Sequence, residues 1–417
     1  MKSKMMNALV LFATISASAE ATISDVVVNQ RWPWSEKVDV DFILSGETND
    51  VEVTARWDAH PEPYRLGTMF AVAPGQRRFT WNPAESPFRG QTLTGFTVAV
   101  SNIAASAHTY LVVDLVNGGY DFLSAPPLGG WTDEHKSSKM VFRRIPAGTY
   151  TLGEPKETFT FLGLSDSYAT TYSMLWNRRY VTFTSDFYVG VFKYTEAQHE
   201  CLSAGNPGTN HKPKKIAYYT LRGGLDDADW PKKGYKVASN SVVAALRGKA
   251  GLVVDLCEEE QWEVAARAGT TSILPNGVTT SDSLSTFTNK LNEIAAWYGT
   301  VGFAEWTVGG FASNGWGLYD VVGLVGEWML DSAVNIGART LPRWGLCDSI
   351  DPVGEKRYDD GSGYRIYRTA SANWNGETLH NIIPCSRQMA SPSGEYTCST
   401  RFCIHLKPLG SLTFEGL

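Results

Sequence analysis

The sequence predicts a protein of two domains, an N-terminal all-β sandwich and a larger C-terminal domain of mixed helix, strand and loop. From about residue 22 to 116, apolar and polar residues alternate with a period of two, which is typical of β-strands. Residues 117–138 are rich in glycine, proline and polar residues and are interpreted as a linker. Beyond them helix-capping signals appear. A chain of 417 residues is long enough to form two cores.

The N-terminal alternation is clearest in residues 37–44, where one face carries Val38, Val40, Phe42 and Leu44. Four further segments continue it, at 51–57, 78–82, 94–100 and 109–116. Short strands separated by turn-rich pieces favour an antiparallel sandwich of immunoglobulin or fibronectin type over residues 20–116. This region has no clustered carboxylates, cysteines or histidine pairs, so we expect a support or adhesion role for it.

Residues 1–19 resemble a secretory signal peptide. Lys2 and Lys4 give a positive start, residues 8–15 a short apolar core, and Ala17-Ser18-Ala19 a small-residue cleavage site. The alternative, a buried N-terminal helix, would not need this charge asymmetry. Neither the short apolar core nor any later segment is long enough to span a bilayer. We therefore expect a secreted, periplasmic or cell-surface protein that is not membrane-spanning.

The charge balance argues against nucleic acid as a partner. The chain has 37 Lys and Arg residues against 43 Asp and Glu residues. Loss of Lys2 and Lys4 with the leader would leave 35 against 43, a net charge of −8. No basic excess is then available to neutralise phosphates.

The chain has six cysteines, and all of them follow residue 200: Cys201, Cys257, Cys347, Cys385, Cys398 and Cys403. An even number in an oxidising compartment favours disulfides, and 15 pairings are open. No Cys-x-x-Cys or Cys/His spacing suits zinc.

Three helices are predicted in the C-terminal domain. Thr195 and Gln198 form a capping box, and the helix after them is expected to end at Gly205. A second helix is predicted at about 240–248 and a third at 258–269. The third begins with three glutamates, 258–260, which we expect to be solvated in its first turn.

Five segments in order resemble the sulfatase-modifying-factor domain, the family of the formylglycine-generating enzymes. They are MVFRRIPAGTYTLG (140–153), FYVGVFKYTEAQHE (187–200), DLCEEEQWEVAARAGTT (255–271), SNGWGLYDVVGLVGEWMLD (313–331), and DPVG (351–354) with YRIYR (364–368). The resemblance covers residues 139–417. It implies an α+β, C-type-lectin-like fold with little regular secondary structure.

The resemblance also implies a calcium site. In the family one ion is held by two side chains and two backbone carbonyls, and the matching positions are Asp320, Gly323, Val325 and Glu327. Two carboxylates seven residues apart, bridged by a turn that offers carbonyls, would supply the hard oxygen ligands that calcium prefers. Alternatively, Asp320 caps a turn and Glu327 accepts hydrogen bonds in the core. Two positions depart from the family: Leu324 replaces Asn and Gly326 replaces Trp.

Three tryptophans in the matching motifs, Trp262, Trp316 and Trp328, are interpreted as core residues and not as a sugar-stacking platform, because large aromatic residues dominate core burial.

The copper chemistry of the family is disfavoured in this chain. Formylglycine-generating enzymes bind copper(I) between two cysteines spaced Cys-x-x-x-x-Cys and use oxygen to convert a substrate cysteine to an aldehyde. A soft monovalent ion needs two thiolates held together. The equivalent stretch, 368–391, contains only Cys385, and Leu379 or His380 stands where the partner would be.

Two downstream residues, Cys398 and Cys403, do have the Cys-x-x-x-x-Cys spacing. In a strand, residues five apart point to opposite faces, so a shared copper would require a bend. These two residues and Cys385 remain the candidate catalytic cysteines. A disulfide of Cys398 or Cys403 with Cys385, Cys347 or another cysteine is the favoured interpretation.

The departures from the family pattern concentrate in the closing segment, roughly 369–400. Its polar runs predict a binding surface that includes Asn373, Trp374, Asn375, His380 and Asn381. The sequence therefore predicts a secreted, calcium-stabilised module that binds a protein or glycan and lacks oxidase chemistry. The alternative is a divergent formylglycine-generating oxidase that matures exported sulfatases.

Overall fold

The computed structural model describes residues 20–31, 34–86, 88–224, 235–297, 306–332, 349–352, 364–369, 379–393 and 398–406. The predicted signal peptide, residues 1–19, lies outside this set. The chain divides into two compact units, Met1–Ala105 and Ser106–Leu417.

The first unit consists of two antiparallel sheets. Its strands are β1 Thr22–Gln30, β2 Val38–Ser45, β3 Asn49–Trp57, β4 His60–Val72, β5 Gly75–Trp81 and β6 Thr97–Ile103. Their orders are β1-β2-β5 and β4-β3-β6. One hydrophobic core contains residues of both sheets, such as Phe42 of β2 and Val53 of β3.

Several predicted strands of this unit are confirmed. The segments 37–44, 51–57 and 78–82 correspond to β2, β3 and β5, whereas the strand expected at 94–100 begins only at Thr97. Strands β1 and β4 were not predicted as separate strands, and their burial explains why. The side chains of β1 are exposed on both faces and those of β4 are mostly half-buried, so neither strand has a clear alternation.

The last strand predicted for the sandwich, at residues 109–116, lies in the second unit. The structure therefore divides the two units after Ala105 and not at the predicted residue 116. Strand β7, Tyr110–Asp114, lies between β8, Tyr120–Leu123, and β9, Lys139–Ile145. The reason is visible in its burial: four consecutive residues, 110–113, are buried, as in the middle strand of a covered sheet. The predicted linker, 117–138, likewise contains β8 and the 3₁₀ helix Asp133–Lys136.

The rest of the second unit is mostly β-structure with few helices. The remaining strands are β10 Gly148–Leu152, β11 Arg179–Phe183, β12 Phe187–Gly190, β13 Val254–Leu256, β14 Gly326–Ser332, β15 Ser349–Ile350, β16 Arg365–Arg368, β17 Arg387–Ala390, β18 Cys398–Thr400 and β19 Phe402–His405. Within the described residues they form sheets of order β13-β19-β12-β9-β7-β8, β17-β16-β14-β18 and β10-β11-β15.

The α-helices of the described residues all lie in the second unit. They are α1 Lys156–Phe161, α2 Asp166–Leu175, α3 Glu196–Ala204, α4 Tyr218–Arg222, α5 Val242–Ala250, α6 Glu259–Arg267 and α7 Leu284–Ile294. No helix in the described ranges is both long and apolar enough to cross a membrane.

The three predicted helices are confirmed as α3, α5 and α6. The capping box at the start of α3 is formed, because Gln198 N donates to Thr195 Oγ1 and Thr195 N donates to Gln198 Oε1. Gly205 ends the helix with φ 77°, a left-handed conformation that glycine adopts without steric cost. In α6, Ala268 takes the left-handed C-cap position one residue before the expected Gly269.

The core of the second unit contains the predicted tryptophans. Trp262 of α6 and Trp328 of β14 are fully buried, and the partly buried Trp316 packs against the hydrophobic cluster that contains Trp262. The interpretation of these residues as core is confirmed.

The placement of β7 can be tested by truncating one buried side chain. Leu111→Ala removes a fully buried group that lies between Phe122 and Phe142 on the neighbouring strands. We expect it to lower the free energy of unfolding of the second unit by about 3 kcal/mol. Hydrogen exchange measured by mass spectrometry should then be faster in peptides from residues 139–145. Val53→Ala, in the first unit, is the matched control, and faster exchange at residues 38–45 in Leu111→Ala would contradict the placement.

Candidate functional site

The loop expected to hold calcium is a tight turn before β14. Asp320, Gly323 and Leu324 have φ values of 55°, 76° and 66°. A Cβ atom on Gly323 would lie 2.4 Å from the carbonyl oxygen of Ala296, so no other residue fits there without a backbone shift. Gly323 N donates to Thr369 Oγ1 at 2.9 Å. The contacts of the Gly323 backbone with Ala296 and Thr369 therefore fix the turn.

Glu327, on β14, is fully buried and its two carboxylate oxygens are both engaged. Oε2 accepts from Trp262 Nε1 at 2.9 Å and from Arg401 Nε at 3.2 Å. Oε1 accepts from Lys193 Nζ at 2.5 Å. Burial alone would raise the pKa of Glu327, but the cations of Arg401 and Lys193 hold it below its ordinary value. Glu327 is therefore an ionised carboxylate inside the core.

Lys193 follows β12 and is fully buried. Its ammonium donates to the carbonyl oxygen of Val325 at 2.9 Å as well as to Glu327. Burial lowers the pKa of Lys193, against the opposing effect of the Glu327 carboxylate. Two of the four implied calcium ligands thus contact an ammonium of the chain itself.

Asp320 is also buried. Its Oδ2 accepts from Gly309 N at 2.7 Å, and its Oδ1 has no hydrogen-bond partner among the described residues. Burial raises the pKa of this carboxyl group. Asp320 thus holds a backbone N–H at a turn, as in the alternative interpretation of the sequence.

The residues present do not fit a calcium ion at this loop while Lys193 keeps its position. Calcium requires six to eight oxygen ligands. The Val325 carbonyl and both oxygens of Glu327 already accept hydrogen bonds from the chain's own donors. Across the described ranges, no three His, Cys, Asp or Glu side chains are grouped so as to hold a metal ion.

The three candidate catalytic cysteines lie on separate elements. Cys385 follows the 3₁₀ helix Leu379–Asn381, Cys398 begins β18 in the four-stranded sheet, and Cys403 lies on β19 in the six-stranded sheet. Strand pairing breaks at Arg401, so the spacing of five residues does not bring Cys398 and Cys403 onto one strand.

All three thiols are buried and protonated at neutral pH. Burial raises the pKa of Cys398 to about 12 and the pKa values of Cys385 and Cys403 well above the ordinary value. A copper(I) site of the family's kind needs two thiolates side by side. Cys385, Cys398 and Cys403, buried and on separate elements, do not supply such a pair among themselves.

The expected disulfide of Cys398 or Cys403 with Cys385 or Cys347 is not formed. The described cysteines, Cys201, Cys257, Cys385, Cys398 and Cys403, are all buried free thiols, and Cys347 lies outside the described residues. The physical reason is that Cys257, Cys385 and Cys403 belong to the hydrophobic core, where a thiol packs as a small apolar group.

The structure describes two of the five residues predicted for the binding surface, His380 and Asn381. His380 was expected to be exposed, and it is buried. His380 is buried against the rings of Tyr172 and Trp176, at centroid distances of 4.6 and 6.3 Å. Burial lowers its pKa to about 4, so it is a neutral core residue. Asn381 is half-buried. The other three predicted residues, at positions 373–375, lie outside the described residues.

The glutamates 258–260 were expected to be solvated, but Glu258 and Glu259 are buried, and Glu259 and Glu260 form ion pairs. Glu260 receives Arg179 at 3.0 Å, and Glu259 receives Arg368 at 2.9 Å as well as Arg387. The sequence showed acidic residues at a helix start, where the dipole favours them, but gave no sign of arginines from distant segments.

Glu263, one turn further along α6, is the centre of a second buried network. It accepts from Gly153 N at 2.8 Å, from Arg267 Nε at 2.8 Å and from Arg368 Nη1 at 3.1 Å. Burial would raise its pKa, but Arg267 and Arg368 lower it to about 2. This carboxylate ties α6 to β16.

Sequence reasoning missed Lys193 and Arg401, the two cations around Glu327. One signal was available for each. Lys193 is the single charged residue in the otherwise apolar run 187–194, and Arg401 stands between two buried strands. A charge inside a buried segment indicates a buried partner.

Asp331 gives a prediction with a definite pH dependence. It is buried, its Oδ2 accepts from Glu259 N at 2.7 Å, and burial together with Glu260 and Glu259 raises its pKa to about 8. The folded state therefore keeps a proton that the unfolded state loses near pH 4, so this group's contribution to stability falls as pH rises from about 4 to about 8.

Asp331→Asn keeps the acceptor but does not titrate. We expect its melting temperature, relative to the parent protein, to rise between pH 5 and pH 8.5 by about 10 °C, equivalent to about 4 kcal/mol. Thermal unfolding followed by circular dichroism at three pH values would measure this. A constant difference between the two proteins at all three would contradict a raised pKa.

The family model of the sulfatase-modifying factor enzyme 1-like domain matches residues 56–378. A search of curated proteins found no match.

Solved structures that resemble the chain include PvdO from Pseudomonas aeruginosa, with 18% identity over 63% of this chain and 94% of that one and a TM-score of 0.42. Treponema denticola variable protein 1 matches with 15% identity over 64% and 95% and a TM-score of 0.42. CarF matches with 15% identity over 63% and 96% and a TM-score of 0.34. Since the family model spans well over half of the sequence, the chain belongs to the sulfatase-modifying factor enzyme 1-like family.

Proposed function

We propose that this protein is an exported binding module of its family that lacks two-cysteine copper oxidase chemistry. One observation carries the proposal: Cys385, Cys398 and Cys403 lie on separate elements as buried, protonated thiols. Oxidation of a substrate cysteine at copper would require two accessible thiolates that face a common groove.

The binding role rests on the contrast between a fixed frame and a divergent closing segment. Arg368, at the end of β16, is held by Glu259 and Glu263 at 2.9 and 3.1 Å, and all three side chains are buried. Segments that leave such a frame are where recognition commonly resides. We assign recognition of a protein or glycan to the closing segment, with Asn373, Trp374, Asn375 and Asn381 as its polar and aromatic contacts.

The first unit fits a supporting role in this proposal. Its two sheets share one core, and we infer an immunoglobulin- or fibronectin-type sandwich. Export is inferred from residues 1–19.

The second candidate function is a divergent oxidase that matures exported sulfatases. It is favoured by family membership alone, since its chemistry would require the buried thiols to become exposed.

A direct assay separates the two candidate functions. Purified protein is incubated with a Cys-x-Pro-x-Arg peptide, copper and oxygen, and mass spectrometry follows conversion of thiol to aldehyde. We expect no turnover beside an active family member run as a positive control. Turnover that is lost in Cys385→Ala or Cys398→Ala would refute the proposal.

Cysteine alkylation tests the same observation at the level of single residues. We expect iodoacetamide at pH 8 to leave Cys257, Cys385, Cys398 and Cys403 unmodified in the native protein. All four should react after denaturation in urea without reductant, since none is in a disulfide. Peptide mapping resolves each site. Native modification of Cys385 or Cys398 would indicate an accessible thiolate, and protection that persists in urea would indicate a disulfide.

A further inference from the structure

Lys193 presents an energetic problem that its surroundings explain. Its side chain is fully buried, and transfer of an unpaired ammonium from water into a protein interior costs several kcal/mol. The cost is offset by two oxygen atoms, the carbonyl of Val325 at 2.9 Å and Oε1 of Glu327 at 2.5 Å. Both atoms belong to the ligand set that family resemblance implies for calcium.

The distances show that the ammonium can occupy the position of an ion. Calcium–oxygen distances are about 2.3–2.6 Å, and the Lys193 nitrogen lies 2.5 Å from Glu327 Oε1 and a little further, 2.9 Å, from the Val325 oxygen. An ion in contact with the same two atoms would overlap the ammonium. The two cations therefore exclude each other.

The charges lead to the same result. Lys193 and Arg401 bring two positive charges to the site, and the carboxylates of Glu327 and Asp320 bring at most two negative charges. The group therefore has no negative excess for a metal ion to neutralise. A divalent cation added to it would leave an excess of at least two positive charges in a buried region, where such an excess is strongly disfavoured.

Arg401, the second cation, has a different role. Its Nη1 donates to the carbonyls of Gly190 and Val191 at 2.6 and 2.8 Å, and its Nη2 donates to Tyr319 at 2.7 Å. Because its guanidinium is committed to these backbone carbonyls, it braces the strands around Glu327. Of these two cations, Lys193 is the one that contacts the loop carbonyl of Val325.

We propose that Lys193 is a resident cation that takes the place of calcium in the Asp320–Glu327 loop, so that this loop is held without a metal ion. A substitution of Lys193 by a small residue, which removes the ammonium and leaves its space empty, would then create a calcium site from Asp320, Val325 and Glu327. A substitution by an uncharged residue of similar size, which fills the space, would not create one.

The test compares the full-length protein with Lys193→Ala, which leaves space, and with Lys193→Met, which fills it. Thermal unfolding is recorded in EGTA and in millimolar calcium chloride. We expect the parent protein to melt at the same temperature in both. Both variants should melt about 10 °C lower in EGTA, because a buried carboxylate loses one of its cations. Calcium should restore much of this loss in Lys193→Ala and none in Lys193→Met.

Two results would overturn the proposal. One is stabilisation of the parent protein by calcium that disappears in Glu327→Gln, since the ion would then bind with Lys193 in place. The other is an equal response of Lys193→Ala and Lys193→Met to calcium. If Lys193→Ala yields no folded protein, the proposal is tested by equilibrium binding of radioactive calcium to the parent protein and to Glu327→Gln. Equal calcium binding by the two proteins supports the proposal. Calcium binding by the parent protein that is lost in Glu327→Gln refutes it.

Discussion

The buried carboxylate of Glu327 is the group on which the arrangement of the second unit depends. An ionised carboxylate in a protein interior is tolerated only where charged and polar donors surround it. Its donors come from three separate places: Trp262 from α6, Lys193 from the segment after β12, and Arg401 from between β18 and β19. Since all of them converge on β14, a single carboxylate sets the positions of a helix and of strands from two sheets.

A second buried carboxylate on α6 extends this constraint to β16. Glu263 holds Arg368 of β16, and the backbone of Arg368 pairs with that of Glu327 in the ladder between β16 and β14. The networks of Glu327 and Glu263 are thus joined through one strand pair.

Replacement of buried ion pairs by apolar groups is often neutral for the stability of a protein. We therefore attribute to these ion pairs a role in specifying the arrangement of the strands. In a fold with few helices, such pairs fix which strand lies beside which.

How much the sequence could predict follows from the range of the interactions involved. The capping box of α3 and the alternation of β2 are local, and both were predicted correctly. The burial of Glu259 and of His380 depends on partners far away in the chain, and both were predicted to be exposed. Strand β7 was assigned to the wrong unit because its register is set by β9, across a segment that looked like a linker. For the site, the loop 320–327 was singled out by the family resemblance, but the cation that contacts it lies on another element and was invisible to spacing arguments.

The same physical property explains both the buried ion pairs of the frame and the raised pKa of the Cys385 thiol. Cys257, Cys385 and Cys403 lie in the same hydrophobic core as Trp262, and Cys385 is close to the charges of Glu263 and Arg267. The low dielectric that strengthens the ion pairs also penalises a thiolate, which is why burial raises the pKa of the Cys385 thiol. A copper-binding dithiolate would require this region to open to solvent, and opening would weaken the pairs of Glu263 and Glu327 with their arginines. Within this frame, dense buried ion pairing and accessible thiolates oppose each other, and the described cysteines are all buried.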